Sequence, residues 1–207
     1  MKKIFLLEVL FCLFAFSGYG AVPGPEALPA DTGSRTALLL IDIQEFYFDT
    51  TKAPLTGRFE AARQAGRLLA GFRENGQVVV HVMHKGGGDI RPEVAPLPGE
   101  KVIVKEQVNC FRDTPLLEYL KDLEINRLVI AGMMTHMCVE AAVRAAHDYG
   151  FSCLLAADAC ATRALQYEEH IVSASNVQYS TLSTLQGTYA RVLNTDAILR
   201  EFSQPDP

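Results

Sequence analysis

Short runs of consecutive aliphatic residues alternate along this chain with stretches whose apolar positions recur at helical spacing. Ala37 to Ile43 is aliphatic except for Asp42, as a strand covered on both faces would be. Gly57 to Asn75 has helical spacing, with Ala62, Leu68, Leu69 and Phe72 on one side and Gly76 as its stop. Val78 to Met83 is the next expected strand, followed by a Gly- and Pro-rich loop from Lys85 to Gly99. Val102 to Val104 is a short strand. Thr114 and Pro115 open a helix to about Leu123. Strands follow at Leu128 to Ala131 and Phe151 to Ala156, with a helix between them from Met137 to Tyr149, stopped by Gly150. Glu168 to Tyr179 reads as helical. Ala190 to Leu193 is a last strand, and Asn194 or Thr195 caps a short helix to Phe202.

Alternation of this kind predicts an α/β fold, a central parallel sheet of about six strands with helices on both faces. Right-handed crossovers then bring the functional side chains to the carboxyl ends of the strands. No glycine-rich nucleotide loop is present, so no nucleotide cofactor is expected.

The first residues follow a different pattern. Lys2 and Lys3 precede an apolar run from Ile4 to Phe16, with Gly18, Gly20 and Ala21 behind it. That is the layout of a secretory signal, although Glu8 interrupts it and a retained anchor has the same outline. The expected organisation is a signal at 1–20, a Pro- and Gly-rich leader at 21–34, and one domain at 35–207. The address is exported, periplasmic or secreted. After residue 20 no apolar run is long enough to cross a membrane.

A chain of 207 residues, 49% of them hydrophobic, can fill one sizeable core. The formal charge of −5 becomes one unit more negative if Lys2, Lys3 and Glu8 are removed, and it points away from a nucleic-acid partner. Cys110, Cys138, Cys153 and Cys160 would remain. Cys153 and Cys160 could pair only if the chain turned back between them, so buried free thiols are the simpler expectation.

Three reactive residues stand where the strands end. Asp42 follows four aliphatic residues, Lys105 follows Val102–Val104, and Cys138 follows the strand at 128–131 and a turn led by Gly132. A buried carboxylate needs a partner, and an ammonium from a neighbouring strand can supply one. A cysteine in the first turn of a helix meets unpaired N–H groups and a partial positive charge, which favour a thiolate. Each residue alone has an ordinary explanation as a cap, a solvated strand end or a small core residue. Their shared placement at one edge of one sheet points to a fold-assembled site.

Leu39–Gln44, Val104–Lys105, Asn109–Phe111, Thr114–Leu116 and Gly132–Val139 together resemble the isochorismatase-like cysteine hydrolases, the group that includes nicotinamidases and N-carbamoylsarcosine amidohydrolases. The likeness runs from about Thr36 to Phe202. It implies a three-layer Rossmann-like fold and a catalytic triad of Asp42, Lys105 and Cys138. It also implies a cis peptide at Met133–Met134 and an oxyanion hole from the backbone N–H groups of Met134 and Cys138. The chemistry implied is attack by the thiol on a small amide or carbamoyl carbonyl, through a thioester. Nicotinamidases of the family carry an Asp-x-His metal motif after the second strand. Here that stretch is His81–Gly86, with two histidines and no carboxylate, so neither a metal nor another cofactor is expected.

Gln44, Phe46 and Phe48 follow the first strand and could wall a pocket, together with His84, Cys110, Phe111 and His136. Cys110 lacks a helix N-terminus and a matched base, so it reads as lining. His136 reads as an ordinary loop histidine. The partners expected are a small-molecule amide and further copies of the chain, because the family often assembles and the alanine-rich helix faces here permit a homo-oligomer. The competing readings are an ester or vinyl-ether hydrolase of the same fold, and a non-catalytic exported binding protein.

Overall fold

The computed structural model describes residues 34–52 and 54–203. The expected signal and nearly all of the leader lie outside the described residues.

Six strands form one parallel sheet: β1 Thr36–Ile41, β2 Val78–His84, β3 Lys101–Lys105, β4 Arg127–Met133, β5 Ser152–Ala161 and, last in the chain, β8 Arg191–Leu193. Their spatial order is β3-β2-β1-β4-β5-β8. Alternate residues of β1 serve opposite faces. Leu39 and Ile41 join a core with α2 Leu116–Asp122, α3 Glu140–Asp148 and α4 Ala174–Leu185. Leu38 and Leu40 join a second core with α1 Arg58–Glu74 and α5 Thr195–Ser203. With both faces covered, β1 is buried throughout, which explains its unbroken apolar run.

Strand order reverses between β1 and β4, and open α/β sheets bind ligands outside the carboxyl ends of strands at that point. A close backbone approach is also there. Gly132 pairs with Ile41 at a φ of 140°, and a Cβ on it would sit 2.0 Å from the Ile41 carbonyl oxygen. Only glycine lets β4 lie this close to β1. Gly132→Ala is expected to cost about 3 kcal/mol by overpacking at an unfavourable φ, read as a lower denaturant midpoint at unchanged slope. A midpoint within error of the parent would refute the close approach.

One expected element is different. The helix read from Glu168 to Tyr179 begins only at Ala174. Before it stands an antiparallel hairpin, β6 Leu165–Tyr167 and β7 His170–Val172, turning through Glu168 at a φ of 51°. Ile171 and Val172 are β-branched and suit a strand, and Ser173 then caps α4 by accepting the Asn176 N–H at 3.2 Å. The helical period is carried by Val177, Thr181 and Leu185, which are buried. All four described cysteines are free and buried, so Cys153 and Cys160 do not pair.

Candidate active site

Asp42 is the first residue beyond β1. It is completely buried, its N–H donates to the Val82 carbonyl at 2.9 Å, and its φ is +50°. A non-glycine residue in the left-handed region is uncommon and concentrates at functional sites. Lys105 closes β3 and Cys138 lies in a π-helical turn, Thr135–Val139, between β4 and α3. The Met133–Met134 peptide ahead of that turn is cis.

These three side chains meet. Lys105 Nζ lies 2.7 Å from Asp42 Oδ2 and donates to Cys138 Sγ at 3.3 Å and to the Gln107 carbonyl at 3.1 Å. An ammonium has three protons, and three acceptors surround this one. The Asp42 carboxylate thus sits in contact with the ammonium, fully buried beside the thiol. Burial is the largest influence on Asp42 and outweighs the charge and hydrogen bond of Lys105 and the hydrogen bond of Cys138, so its carboxyl is raised above the ordinary value of 3.8.

The thiol departs from the expectation of a preformed thiolate. Burial first, and the negative charge of Asp42 second, push Cys138 up to about 12 against the pull of Lys105. The helix end does not overcome desolvation and a neighbouring carboxylate. At rest Cys138 is a thiol beside a buried carboxylate.

The pocket residues divide. His84 lines a cleft of about 240 Å³ with Gln44, Phe46, Tyr47, Lys85 and Gly86, and its charge reaches Asp42. Gln44 shapes that cleft with its polar atoms already committed. Oε1 accepts the His84 N–H at 2.7 Å, and Nε2 donates to the His84 and Gly88 carbonyls at 3.1 and 2.7 Å. Gln44 therefore holds the loop in place, with both of its amide protons committed. Phe48 is not a wall of this cleft; it packs edge-on against Phe59 under the Arg91 guanidinium. Cys110 and Phe111 do not line this cleft either. Cys110 is fully buried with its thiol pushed strongly up, and Phe111 packs against Tyr149 and Phe151 at the amino end of β5. His136 is half-buried with Nδ1 2.5 Å from Thr162 Oγ1, and burial and Arg163 lower its basicity.

Two residues near the site escaped the sequence reading. Tyr47 is half-buried in the cleft, and its phenol is raised by burial and by the charges of Cys138 and Asp42. It belongs to the aromatic run Phe46–Phe48, and the short 3-10 turn decides which ring faces inward. Arg163 stands beyond β5, where its charge reaches both Tyr47 and His136. His81 turns instead to Glu100, its Nε2 3.0 Å from Oε2, under Arg73. Among the described residues no three His, Cys, Asp or Glu side chains gather as a metal site would require.

Residues 36–186 match the model of the isochorismatase domain family. The chain belongs to the isochorismatase family. It is 42% identical over 178 residues to the isochorismatase family protein YddQ of Bacillus subtilis, covering 80% of this chain and 99% of that one. A solved structure described as an isochorismatase hydrolase of Oleispira antarctica superposes with a TM-score of 0.78 at 44% identity, over 83% of this chain and 99% of that one. A streptothricin hydrolase of Streptomyces noursei is 32% identical over 136 residues, 61% of this chain and 54% of the relative. The three-layer fold and the hydrolase class expected from the motifs are thus those of the isochorismatase family, and this chain is an enzyme of that family.

Proposed function

We propose that the chain hydrolyses the C–N bond of a small amide or carbamoyl compound with Cys138 as nucleophile, Asp42 as acid–base and Lys105 as the fixed counter-charge. The supporting observation is buried Lys105 Nζ in contact with both Asp42 Oδ2 and Cys138 Sγ. A lysine that only neutralised a strand-end carboxylate would have no reason to touch a thiol as well. Relatives that cleave C–N bonds, such as a ureidoacrylate amidohydrolase of Cronobacter turicensis at 28% identity, agree with it.

Cys138 Sγ adds to the carbonyl carbon while Asp42 takes the thiol proton. The oxyanion is held by the N–H groups of Met134 and Cys138, each such donor being worth about 10²–10³ in rate. The C–N bond then breaks, and Asp42 passes its proton to the departing nitrogen. Water attacks the thioester with Asp42 again as base, and the acid leaves as the sulfur regains its proton. Lys105 keeps Asp42 ionised between these transfers. Since Asp42 must be ionised to accept, kcat/KM is expected to rise with pH through a midpoint above 3.8.

A panel of small primary amides and matched esters tests the reading, with iodoacetamide mapping of the modified cysteine beside it. Turnover of amides with alkylation at Cys138 is the expected result. Amide turnover retained in full by Cys138→Ala, or preferential alkylation of Cys110, refutes the assignment. Turnover of esters alone would favour the ester-hydrolase reading.

A further inference from the structure

We infer that a second groove beside the cleft binds an uncharged aryl ring, carried by the substrate on a short spacer from the scissile bond. The inference rests on the cysteine-hydrolase reading above and adds a remote part of the substrate to it. The cleft stands on the strands that hold the triad. His84 pairs with Lys105 in the sheet, and the Gln44 N–H donates to the Asp42 carbonyl at 2.9 Å. Phe46, Gly86 and Gly87 line both this cleft and a neighbouring groove of about 400 Å³. A substituent on a molecule held in the cleft has only that shared lip to cross.

The groove offers flat apolar surface. Phe59, the second residue of α1, and Phe46 line it while remaining 56% and 36% exposed. Phe48 lines it as well and is nearly buried; its ring meets Phe59 edge-on at 5.3 Å. A further wall is bare backbone, Gly86 to Gly88. Gly87 has no room for a side chain, because a Cβ there would meet the Gln44 amide at 2.7 Å. The Phe46 N–H donates to the Gly87 carbonyl at 3.1 Å, which fixes this wall beside the ring. The charged side chains of the groove answer one another. Arg91 meets Glu45 at 3.0 Å and grips Glu93 with two nitrogens, and Lys52 meets Asp49 at 3.2 Å. No charge is left over to select an ion. What remains open is ring surface beside flat peptide groups. An aryl ring covers both, since aromatic rings pair edge-on or offset and gain from burying their area.

A graded set of alkylating reagents tests this on the full chain. Iodoacetamide is compared with its N-benzyl, N-(2-phenylethyl) and N-(3-phenylpropyl) derivatives and with their cyclohexyl counterparts. All react alike: the Cys138 sulfur forms a C–S bond, iodide leaves and the thiol proton passes to water. The readout is the rate at Cys138 relative to iodoacetamide, normalised to the same ratio for glutathione. In the parent one spacer length is expected to react about tenfold faster than iodoacetamide and faster than its cyclohexyl counterpart. Phe59→Ala should remove most of that advantage and Phe59→Tyr should keep it. Phe46→Ala probes the same groove from its other ring, and thermal melts confirm that each variant is folded. An aryl advantage that agrees within twofold between the parent and both alanine variants overturns the groove and leaves the nucleophile assignment standing. Cyclohexyl reagents that match the phenyl ones throughout overturn the choice of an aryl ring. If no reagent modifies Cys138, the cysteine reading itself falls, and this inference with it.

Discussion

Lys105→Met is expected to destabilise the protein by about 3–5 kcal/mol at neutral pH, and adding Asp42→Asn should recover most or all of that loss. Both members of the pair are buried to their tips. Removing only the lysine leaves a buried carboxylate without its counter-charge, in a pocket that already raises its pKa by burial. The sign of the pH dependence follows from that direction. A carboxyl raised in the folded state favours folding when protonated, and its contribution is lost as pH rises through the folded value. The single variant should therefore approach the parent in acid and fall away toward neutrality, whereas the double variant should show no such trend. Urea unfolding at acidic and neutral pH measures both. A Lys105→Met protein as stable as the parent at neutral pH would mean that Asp42 is already protonated without help, and the ion pair would be withdrawn. If the double variant equals or exceeds the parent in stability, the pair is maintained for chemistry and not for folding.

Asp42, Lys105 and Cys138 were legible before any coordinates because polar residues directly after aliphatic strands have few alternatives. A parallel sheet sends all its strand ends to one edge, so the order of motifs already implied their meeting. The cis position at Met133–Met134 was legible from the family likeness. What failed was side-chain direction over short irregular segments. Adjacency to Lys105 suggested that Cys110 and Phe111 face the mouth, but these two side chains alone of a largely exposed segment turn into the core ahead of α2. In the same way Phe48 was expected to line the pocket, whereas Tyr47 does so. Arg163 was invisible for a different reason: β5 runs five residues further than its apolar pattern shows, through a register shift opposite Ile130 and Gly132. The hairpin at 165–172 was hidden because its polar and apolar residues also fit a helical period. The state of Cys138 could not be read from placement at a helix start, since burial and a neighbouring carboxylate act in the opposite direction and are stronger.

That last point yields an expectation in which two observables move in opposite directions. Asp42→Asn should lower kcat for amides by about 10²–10⁴, the usual worth of a positioned acid–base group. The same change should make Cys138 more acidic. The negative charge of Asp42 is the second largest influence raising the thiol, whereas Lys105 lowers it and remains in place. Removing the carboxylate leaves a sulfur facing an ammonium, so its titration should fall below about 12, although burial still holds it up. Thiolate absorbance in the ultraviolet, with Cys138→Ala as the blank, reads the shift directly. A merely structural role for Asp42 would lose activity with no such change, or would loosen the site. A more acidic but less active cysteine separates the two functions of the carboxylate: it suppresses the thiolate at rest and accepts the proton during attack. The thiol and its base should also fail together. Asp42→Asn, Cys138→Ala and the double variant are expected to lose activity in a strongly non-additive way, as members of one proton-transfer unit do. Additive losses would show that Asp42 and Cys138 act independently and would end the case for a shared proton.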